Sequence, residues 1–380
     1  MEQITNEVRY FSGIAKENND ASSIVEKAKR LAFTAMKRDY GFTGMGKDYI
    51  SDVDYDKENL SVKKDWLAFS AAGSGIKELT EKRHLVNAFD NPMFVSLTNA
   101  IIAEALLGIV VNSNASQIMK LANIDEVDIG DSKTYTIETK GLPVAQRTSY
   151  NSNVTLTNSA STTGITVTPK VWTLGSSIDY TRVLTDTFDF GKEIARVALG
   201  ILYAQYKLVT GILFNTTNLT GTPLYQAAFA QTTYVAMISY LQALNGGSAV
   251  EAYGTLPAFN AIGSLATTSY GFESQDEMIR NGFLGRAYGI SNNVIDQSTD
   301  LSAPFITANL SNLLLVPNDR ILLLSDVGDK PVKLVRESFI RVVAKTASDG
   351  SIYRQNYSYT MSFDAGLATQ AHYAIQAAHS

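Results

Sequence analysis

The chain has 380 residues, 45% of them hydrophobic, with a formal net charge of −5 and a pI near 5.4. This is the composition of a globular protein with one large or two medium domains. The mild acidity argues against strong sequence-independent binding to nucleic acid, which depends on neutralising phosphates. The chain has no cysteine, which excludes disulfides, thiolate metal sites and cysteine nucleophiles.

Targeting signals are not apparent. The N-terminus lacks a basic region followed by an apolar core, so we expect no secretory signal. The most apolar run, Ala100 to Val111, is too short to span a bilayer and contains Glu104, so we expect no membrane span. The sequence therefore predicts a protein that is made in the cytoplasm.

Residues 1–83 are denser in charged side chains than the rest of the chain. A helix is predicted from Ser22 to Arg38, and Asp48 to Lys64 has the composition of a polar, extended or mobile piece. We interpret residues 1–83 as an arm that lies outside the core. A second helical region is predicted over 91–122, followed by a strand from Lys133 to Thr139.

A Thr/Ser/Asn-rich double run follows, in which apolar and polar residues alternate with the period of a strand. Its apolar members are Val154 and Leu156 in the first run and Ile165 and Val167 in the second. We predict that the two runs form a β-hairpin. Because a two-stranded hairpin is marginal in water, these four side chains are predicted to contact a neighbouring subunit. Residues 171–180 are a further β-like stretch.

A long amphipathic helix is predicted from about Asp189 to Asn215, with Asp186 or Asp189 as its N-cap. Twenty-five helical residues span about 37 Å, the length of a structural spine. A shorter helix is predicted from Thr232 to Leu244, where Gly246 and Gly247 end it.

The C-terminal half carries strand signals. A short strand is predicted at 290–295, and short apolar runs follow at 312–316 and 320–324. Long strands are predicted from Lys333 to Lys345 and from Ser351 to Phe363, joined by a Ser348-Asp349-Gly350 turn.

Motifs for chemistry are weak. Asp52-Val-Asp54-Tyr-Asp56 opens like a calcium loop, but Lys57 and Lys63 replace the glycine and the glutamate that such a loop needs. The glycines of 282–289 fit tight turns better than a phosphate-binding loop.

Of the three histidines, His84 is predicted to lie at the surface, and His372 and His379 lie near the C-terminus. Asp125, Asp128 and Asp131 favour a solvated turn over a metal site. We predict no catalytic site, cofactor or metal.

The order of these elements resembles the major capsid proteins of tailed bacteriophages, which have the HK97-like fold. Three segments carry the likeness. Ser177-Ile-Asp-Tyr-Thr-Arg-Val-Leu184 with the helix 192–214 is similar to the entry of the family's spine helix. Asn281-Gly-Phe-Leu-Gly-Arg-Ala-Tyr-Gly-Ile290 is similar to a segment of the axial domain, and 333–363 to the long strands that return to the peripheral domain.

The resemblance implies an α+β fold with an N-terminal arm (1–85), an extended β-hairpin loop (141–172), a peripheral domain (86–140, 173–228 and 326–380) and an axial domain (229–325). It also implies a structural protein, not an enzyme, that forms hexamers and pentamers of an icosahedral shell around double-stranded DNA. Scaffolding, portal and decoration proteins are the implied partners, and the virion is the implied location.

Two alternatives remain open. A compartment shell that encloses protein cargo has the same fold. A protein of another class, a monomeric polysaccharide-acting enzyme or a surface-binding β protein, is suggested by the abundance of Thr, Asn and Tyr.

Overall fold

The computed structural model describes residues 20–40, 52–76, 79, 82–112, 120–138, 162–179, 182–183, 185, 187–217, 219–266, 280–295, 314–325, 329–346, 354–368 and 372–378. The chain divides into two compact units. Unit 1 comprises 1–116, 170–204 and 337–363, and unit 2 comprises 117–169, 205–336 and 364–380. Three of the five boundaries, after residues 204, 336 and 363, fall within one long helix and two long strands.

The helices of the described residues are α1 (Asp20–Tyr40), α2 (Asp52–Ser74), α3 (Lys82–Asp90), α4 (Pro92–Asn112), α5 (Phe190–Leu213), α6 (Gln231–Leu244) and α7 (Leu256–Ala266). The strands are β1 (Ala122–Val127), β2 (Lys133–Glu138), β3 (Thr162–Val167), β4 (Lys170–Asp179), β5 (Tyr225–Gln226), β6 (Val250–Gly254), β7 (Arg286–Ala287), β8 (Ile290–Val294), β9 (Arg320–Ser325), β10 (Val332–Thr346), β11 (Arg354–Leu367) and β12 (Tyr373–Ala377).

The N-terminal helices belong to the core of unit 1. Helix α1 matches the predicted helix, but it packs against α2 and α4 and buries Leu31 and Met36 completely. Helix α2 buries Tyr55 and Trp66. The interpretation of 1–83 as an arm outside the core is therefore wrong for the described part. The charged side chains of this region lie mostly on the outward faces of α1 and α2, and the inward faces of both helices are mainly apolar.

The prediction of an extended piece at 48–64 is also wrong, because α2 starts at Asp52. Tyr55, Val62 and Trp66 are spaced by seven and four residues, so they share one helical face, and all three are buried. The aspartates of the calcium-like motif lie in the first turns of this helix.

Helix α4 confirms the helical region predicted after residue 91. Its apolar marks Phe94, Ile101, Leu106 and Ile109 are buried inside unit 1. The apolar stretch Pro92–Val111 is longer than the sequence reading assumed, and it is long and apolar enough to cross a membrane by length and composition alone. Half of it is buried within the protein, as in a core helix.

Unit 1 also contains a sheet in which β11 lies between β10 and β4. Strands β4 and β11 are antiparallel and pair from Lys170 with Phe363 to Asp179 with Arg354. Tyr357 and Tyr359 alternate on β11 with less buried residues and are themselves buried. These strands confirm the predicted β stretch near 171–180 and the long C-terminal pair.

Unit 2 contains a six-stranded sheet with the order β5-β12-β9-β6-β8-β7. Its middle strand β9 buries Ile321 to Leu324, and it pairs antiparallel with β6 and β12. Strand β8 confirms the short strand predicted at 290–295, and β9 contains the apolar run at 320–324. The two-residue turn between β7 and β8 places Tyr288 and Gly289 at positive φ, which accounts for the glycine.

Both predicted helices of the middle region are present. Helix α5 has Asp189 before its first residue, and the Asp189 carboxylate accepts the backbone N–H of Lys192 at 2.8 Å, so Asp189 is the N-cap. Helix α6 ends where predicted, with Gly246 and Gly247 at positive φ. The predicted α+β class is confirmed.

Candidate assembly surfaces

Strands β2 and β3 form a two-stranded antiparallel ladder. From here on we call this ladder the arm, and it is distinct from the N-terminal arm predicted for residues 1–85. Its register pairs Lys133 with Val167 and Tyr135 with Ile165. A hydroxyl–hydroxyl hydrogen bond of 2.8 Å joins Thr134 and Thr166 across the exposed face. The residues between the two strands, 139–161, lie outside the described residues. The strand that contains Ile165 therefore pairs with β2, whereas the sequence reading paired it with 154–157.

The four predicted contact residues have different places. Val154 and Leu156 lie outside the described residues. Ile165 is half-buried on the arm. Val167 is only 5% exposed, and it lies so close to Gly366 that a Cβ there would come within 2.7 Å of its Cγ2. Val167 thus packs within its own subunit, which makes it a poor candidate for contact with a neighbour.

The base of the arm carries a cluster of polar side chains on β1 and β2. Lys133 Nζ lies 2.6 Å from the Asp125 carboxylate, and the Tyr135 hydroxyl donates to the other oxygen of that carboxylate. Partial burial raises the pKa of Asp125, but the hydrogen bonds from Lys133 and Tyr135 outweigh it and hold the pKa below its usual value. Burial and the Asp125 carboxylate together raise the pKa of Tyr135.

The first residues of β10, beside β1, contain two buried cations. Lys333 and Arg336 are 4% and 1% exposed. Lys333 forms an ion pair with Asp329, and Arg336 donates two hydrogen bonds, of 2.6 Å and 3.2 Å, to one oxygen of Glu126. Buried cations need such partners, because an unpaired buried charge costs several kcal/mol.

An exposed apolar surface lies on β4, which forms the edge of its sheet in the described part of the chain. Val171 is 71% exposed and Trp172 is 40% exposed. The indole of Trp172 stacks on Phe363 at 5.1 Å and donates to its backbone oxygen at 3.0 Å, which fixes the ring against β11. An edge strand with apolar side chains is a template for pairing with another chain.

Helix α6 in unit 2 presents a second candidate surface. Its sequence has no charged residue, and its outward positions include the partly exposed Val235 and Tyr240. Uncharged outward faces are unusual on helices that face water, where charged side chains normally predominate.

Sites for chemistry are few among the residues that the structure describes. No group of three or more His, Asp or Glu side chains there could hold a metal ion. A cavity in unit 1 is lined mainly by apolar side chains of α4 and α5, with Glu193 as its carboxylate. Asp128 and Asp131 lie in the exposed turn after β1, as predicted, where a backbone hydrogen bond joins them. The prediction of a solvated turn is wrong for Asp125, which lies on β1 and is paired with Lys133.

No protein-family model matches the chain, and no curated protein matches it either. Solved structures do. The capsid of cyanophage P-SCSP1u is 13% identical, with 67% of this chain and 85% of that chain covered and a TM-score of 0.41. The capsid of a native GTA particle is 12% identical, with 69% and 88% covered and a TM-score of 0.45. A virus-like particle from Pyrococcus furiosus is 6% identical, with 72% and 97% covered and a TM-score of 0.37. Each of these three neighbours is described as a capsid or a virus-like particle.

The sequence reading missed Val171 and Trp172 as candidate contacts. Their strand was predicted, but which strand forms the edge of a sheet depends on pairing between distant segments. One local signal was available, because two large apolar residues in succession on one strand point to opposite faces, and a strand covered on one face buries only one of them.

Proposed function

We propose that this chain is the major capsid protein of a tailed bacteriophage, with an HK97-like fold, and that its copies assemble into an icosahedral shell around double-stranded DNA. The subunits form hexamers and pentamers, and scaffolding, portal and decoration proteins join them. Assembly takes place in the host cytoplasm, and the mature protein resides in the virion. Its role is structural, without a catalytic site or cofactor.

The observation that carries this proposal is the edge strand β4. Val171 and Trp172 are 71% and 40% exposed on a ten-residue strand without proline. Soluble monomers protect long edges with charge, proline or a covering element. The only charged residues of β4 are Lys170 and Asp179, which lie at its two ends. An apolar edge of this kind is suited to contact another copy, and in a closed shell many weak contacts add together.

The order of the elements also supports the proposal. Helix α5, of 24 residues, has the length of a spine, and β10 and β11, of 15 and 14 residues, are long for a globular protein. Strand β3 of the arm lies within the segment that we assign to an extended loop (141–172), and β2 ends shortly before it. In this proposal, Val154, Leu156 and Ile165 contact a neighbouring subunit.

The test is a pair of substitutions at Val171. Val171→Lys places a charge on the edge, one of the ways in which proteins prevent edge pairing, whereas Val171→Thr keeps the β-branched shape. We expect Val171→Lys to lower the particle yield about tenfold or more with an unchanged melting temperature, and Val171→Thr to assemble nearly normally. Normal particle yield from Val171→Lys would contradict the proposed role of β4.

A compartment shell with protein cargo is the second candidate, and the particle contents separate the two. Particles purified from the source organism and treated with nuclease should retain double-stranded DNA if the capsid proposal is correct. Particles that contain protein cargo and no protected DNA would favour the compartment.

A further inference from the structure

The arm meets the rest of unit 2 through two different kinds of contact. Strand β3 contributes the apolar contact of Val167 with Gly366. Strand β2 contributes Lys133 and Tyr135, which are two residues apart and so point to the same face of the strand. Both reach the single carboxylate of Asp125 on β1.

Both oxygens of Asp125 accept charge-assisted hydrogen bonds from the arm. Such bonds are roughly twice as strong as bonds between neutral groups. The carboxylate side chain is 27% exposed, so water screens the interaction only in part. Asp125 therefore holds β2 by two directed bonds, which fix an angle as well as a distance.

A second cation reinforces this arrangement. Lys133 Nζ and Lys333 Nζ lie 5.6 Å and 5.9 Å from the centre of the Tyr135 ring. Ammonium groups within about 6 Å of an aromatic face are attracted to it. Lys333 is itself held by Asp329. The Tyr135 ring thus links the arm to β1 and to the buried start of β10.

We propose that Asp125 is a latch that sets the direction of the arm within each subunit, before that subunit meets a neighbour. The latch is a property of one subunit, and its use in delivering the extended loop to a neighbour rests on the proposed function. Without the latch, β2 keeps its ladder with β3, but the pair can pivot about the contact of Val167 with Gly366.

Acid should open the latch. The groups that face the Asp125 carboxylate are Lys133 and Tyr135 on β2 and Lys333 on β10, with Asp329 beyond Lys333. Lys133, Tyr135 and Lys333 keep their protons as the pH falls, whereas a carboxylate gains one. The pKa of Asp125 is lower in the folded chain than its usual value. The latch therefore holds above the usual aspartate pKa, about 4, and weakens as the pH falls through the lower, folded value.

The experiment measures arm direction in unassembled subunits separated by size exclusion. Because the chain has no cysteine, Thr163→Cys on β3 and Ser239→Cys on α6 give two unique positions for spin labels, both in unit 2. Double electron–electron resonance then reports the distance between them. The latch predicts one narrow distance peak, its loss in Asp125→Asn, and a partly widened peak in Tyr135→Phe.

Asp128→Asn is the matched control, because Asp128 is an exposed aspartate in the turn after β1. It should leave the peak narrow. If Asp125→Asn fails to fold by circular dichroism, Tyr135→Phe carries the test. A narrow peak in Asp125→Asn, or in Tyr135→Phe when Asp125→Asn is unfolded, would overturn the latch. Particle formation is scored separately. If the proposed function fails while the latch is correct, no particles form and the distance peak of the unassembled subunits stays narrow.

Discussion

The side chain of Asn59 on α2 binds the backbone at the start of α5. Its Oδ1 accepts the N–H of Phe190 at 3.0 Å, and its Nδ2 donates to the carbonyl oxygen of Phe188 at 3.4 Å. The first N–H groups of a helix have no partner within that helix. Asn59 therefore supplies a partner from a segment more than a hundred residues earlier, and α2 fixes the position at which the spine helix begins.

We expect Asn59→Ala to lower the free energy of unfolding of unit 1 by about 1–3 kcal/mol, because it leaves the N–H of Phe190 unpaired. Both tryptophans, Trp66 and Trp172, lie in unit 1, so urea unfolding followed by their fluorescence reports this unit. Lys57→Ala, at an exposed position of the same helix, should change stability by no more than about 0.5 kcal/mol. An Asn59→Ala effect as small as that of the control would remove the assigned role.

Gly191, the second residue of α5, lies against α1 and α2. A Cβ at Gly191 would come within 2.8 Å of Leu31 Cβ and 2.9 Å of the Tyr55 hydroxyl oxygen. We expect Gly191→Ala to destabilise the protein by about 1–3 kcal/mol through overpacking. At Gly211, on the same helix, an added Cβ would meet nothing within 4 Å, so Gly211→Ala should stabilise by up to about 1 kcal/mol. Calorimetry of the two variants should show melting temperatures that move in opposite directions, and the same direction for both would contradict the packing described.

The elements with strong local periodicity could be predicted from the sequence. Helix α5 has a clear helical period and a carboxylate at its N-cap, β11 alternates over the first half of its length, and α4 and β10 are long runs rich in apolar residues. Their signals are local, because each depends on residues within a few turns or strand positions. Contacts that join distant segments had no such signal.

Helix α2 shows what could not be predicted. Its apolar face has few members, of which Tyr55 and Trp66 are aromatic, and six of the ten residues between these two are charged. Its burial depends on α1, α4 and the residues before α5, so tertiary packing overrides a local composition that is typical of an extended segment. The candidate assembly surfaces could not be predicted for the same reason. The pairing of β3 with β2 and the edge position of β4 both depend on strands that are distant in the sequence.

Glu126 is the partner of the buried Arg336 guanidinium. We expect Glu126→Ala to destabilise unit 2 by about 1.5–3 kcal/mol, because it removes a charged hydrogen-bond partner from a buried cation. Glu126→Gln keeps one acceptor oxygen and should lose less. Hydrogen exchange of the β1 and β10 amides measures the effect locally. Equal exchange in wild type and Glu126→Ala would show that Arg336 does not depend on this carboxylate.

Asp39 at the end of α1 gives unit 1 a dependence on pH. Hydrogen bonding from Arg38, at 2.9 Å, and from Lys192, at 3.1 Å, holds the pKa of Asp39 below its usual value, although burial opposes the shift. Its contribution to stability is therefore present above the usual aspartate pKa, about 4, and is lost as the pH falls through the folded value. Between about pH 6 and pH 3, the melting temperature of wild type should fall further than that of Asp39→Asn.

The control for that experiment is Asp56→Asn, at an exposed position of α2. It should keep the full acid sensitivity of wild type. If Asp39→Asn also keeps it, the link from Asp39 to Lys192 contributes nothing to the acid response.

The central claim is that copies of this chain complete each other's surfaces in a closed shell. Electron microscopy of the purified full-length protein, with sedimentation of the same sample, tests it most directly. The account predicts hollow particles of uniform diameter with icosahedral symmetry, in which β4 and the arm lie at contacts between subunits. A protein that sediments as a monomer across concentration, salt and pH, and forms no particles with or without co-expressed scaffolding protein, would contradict it.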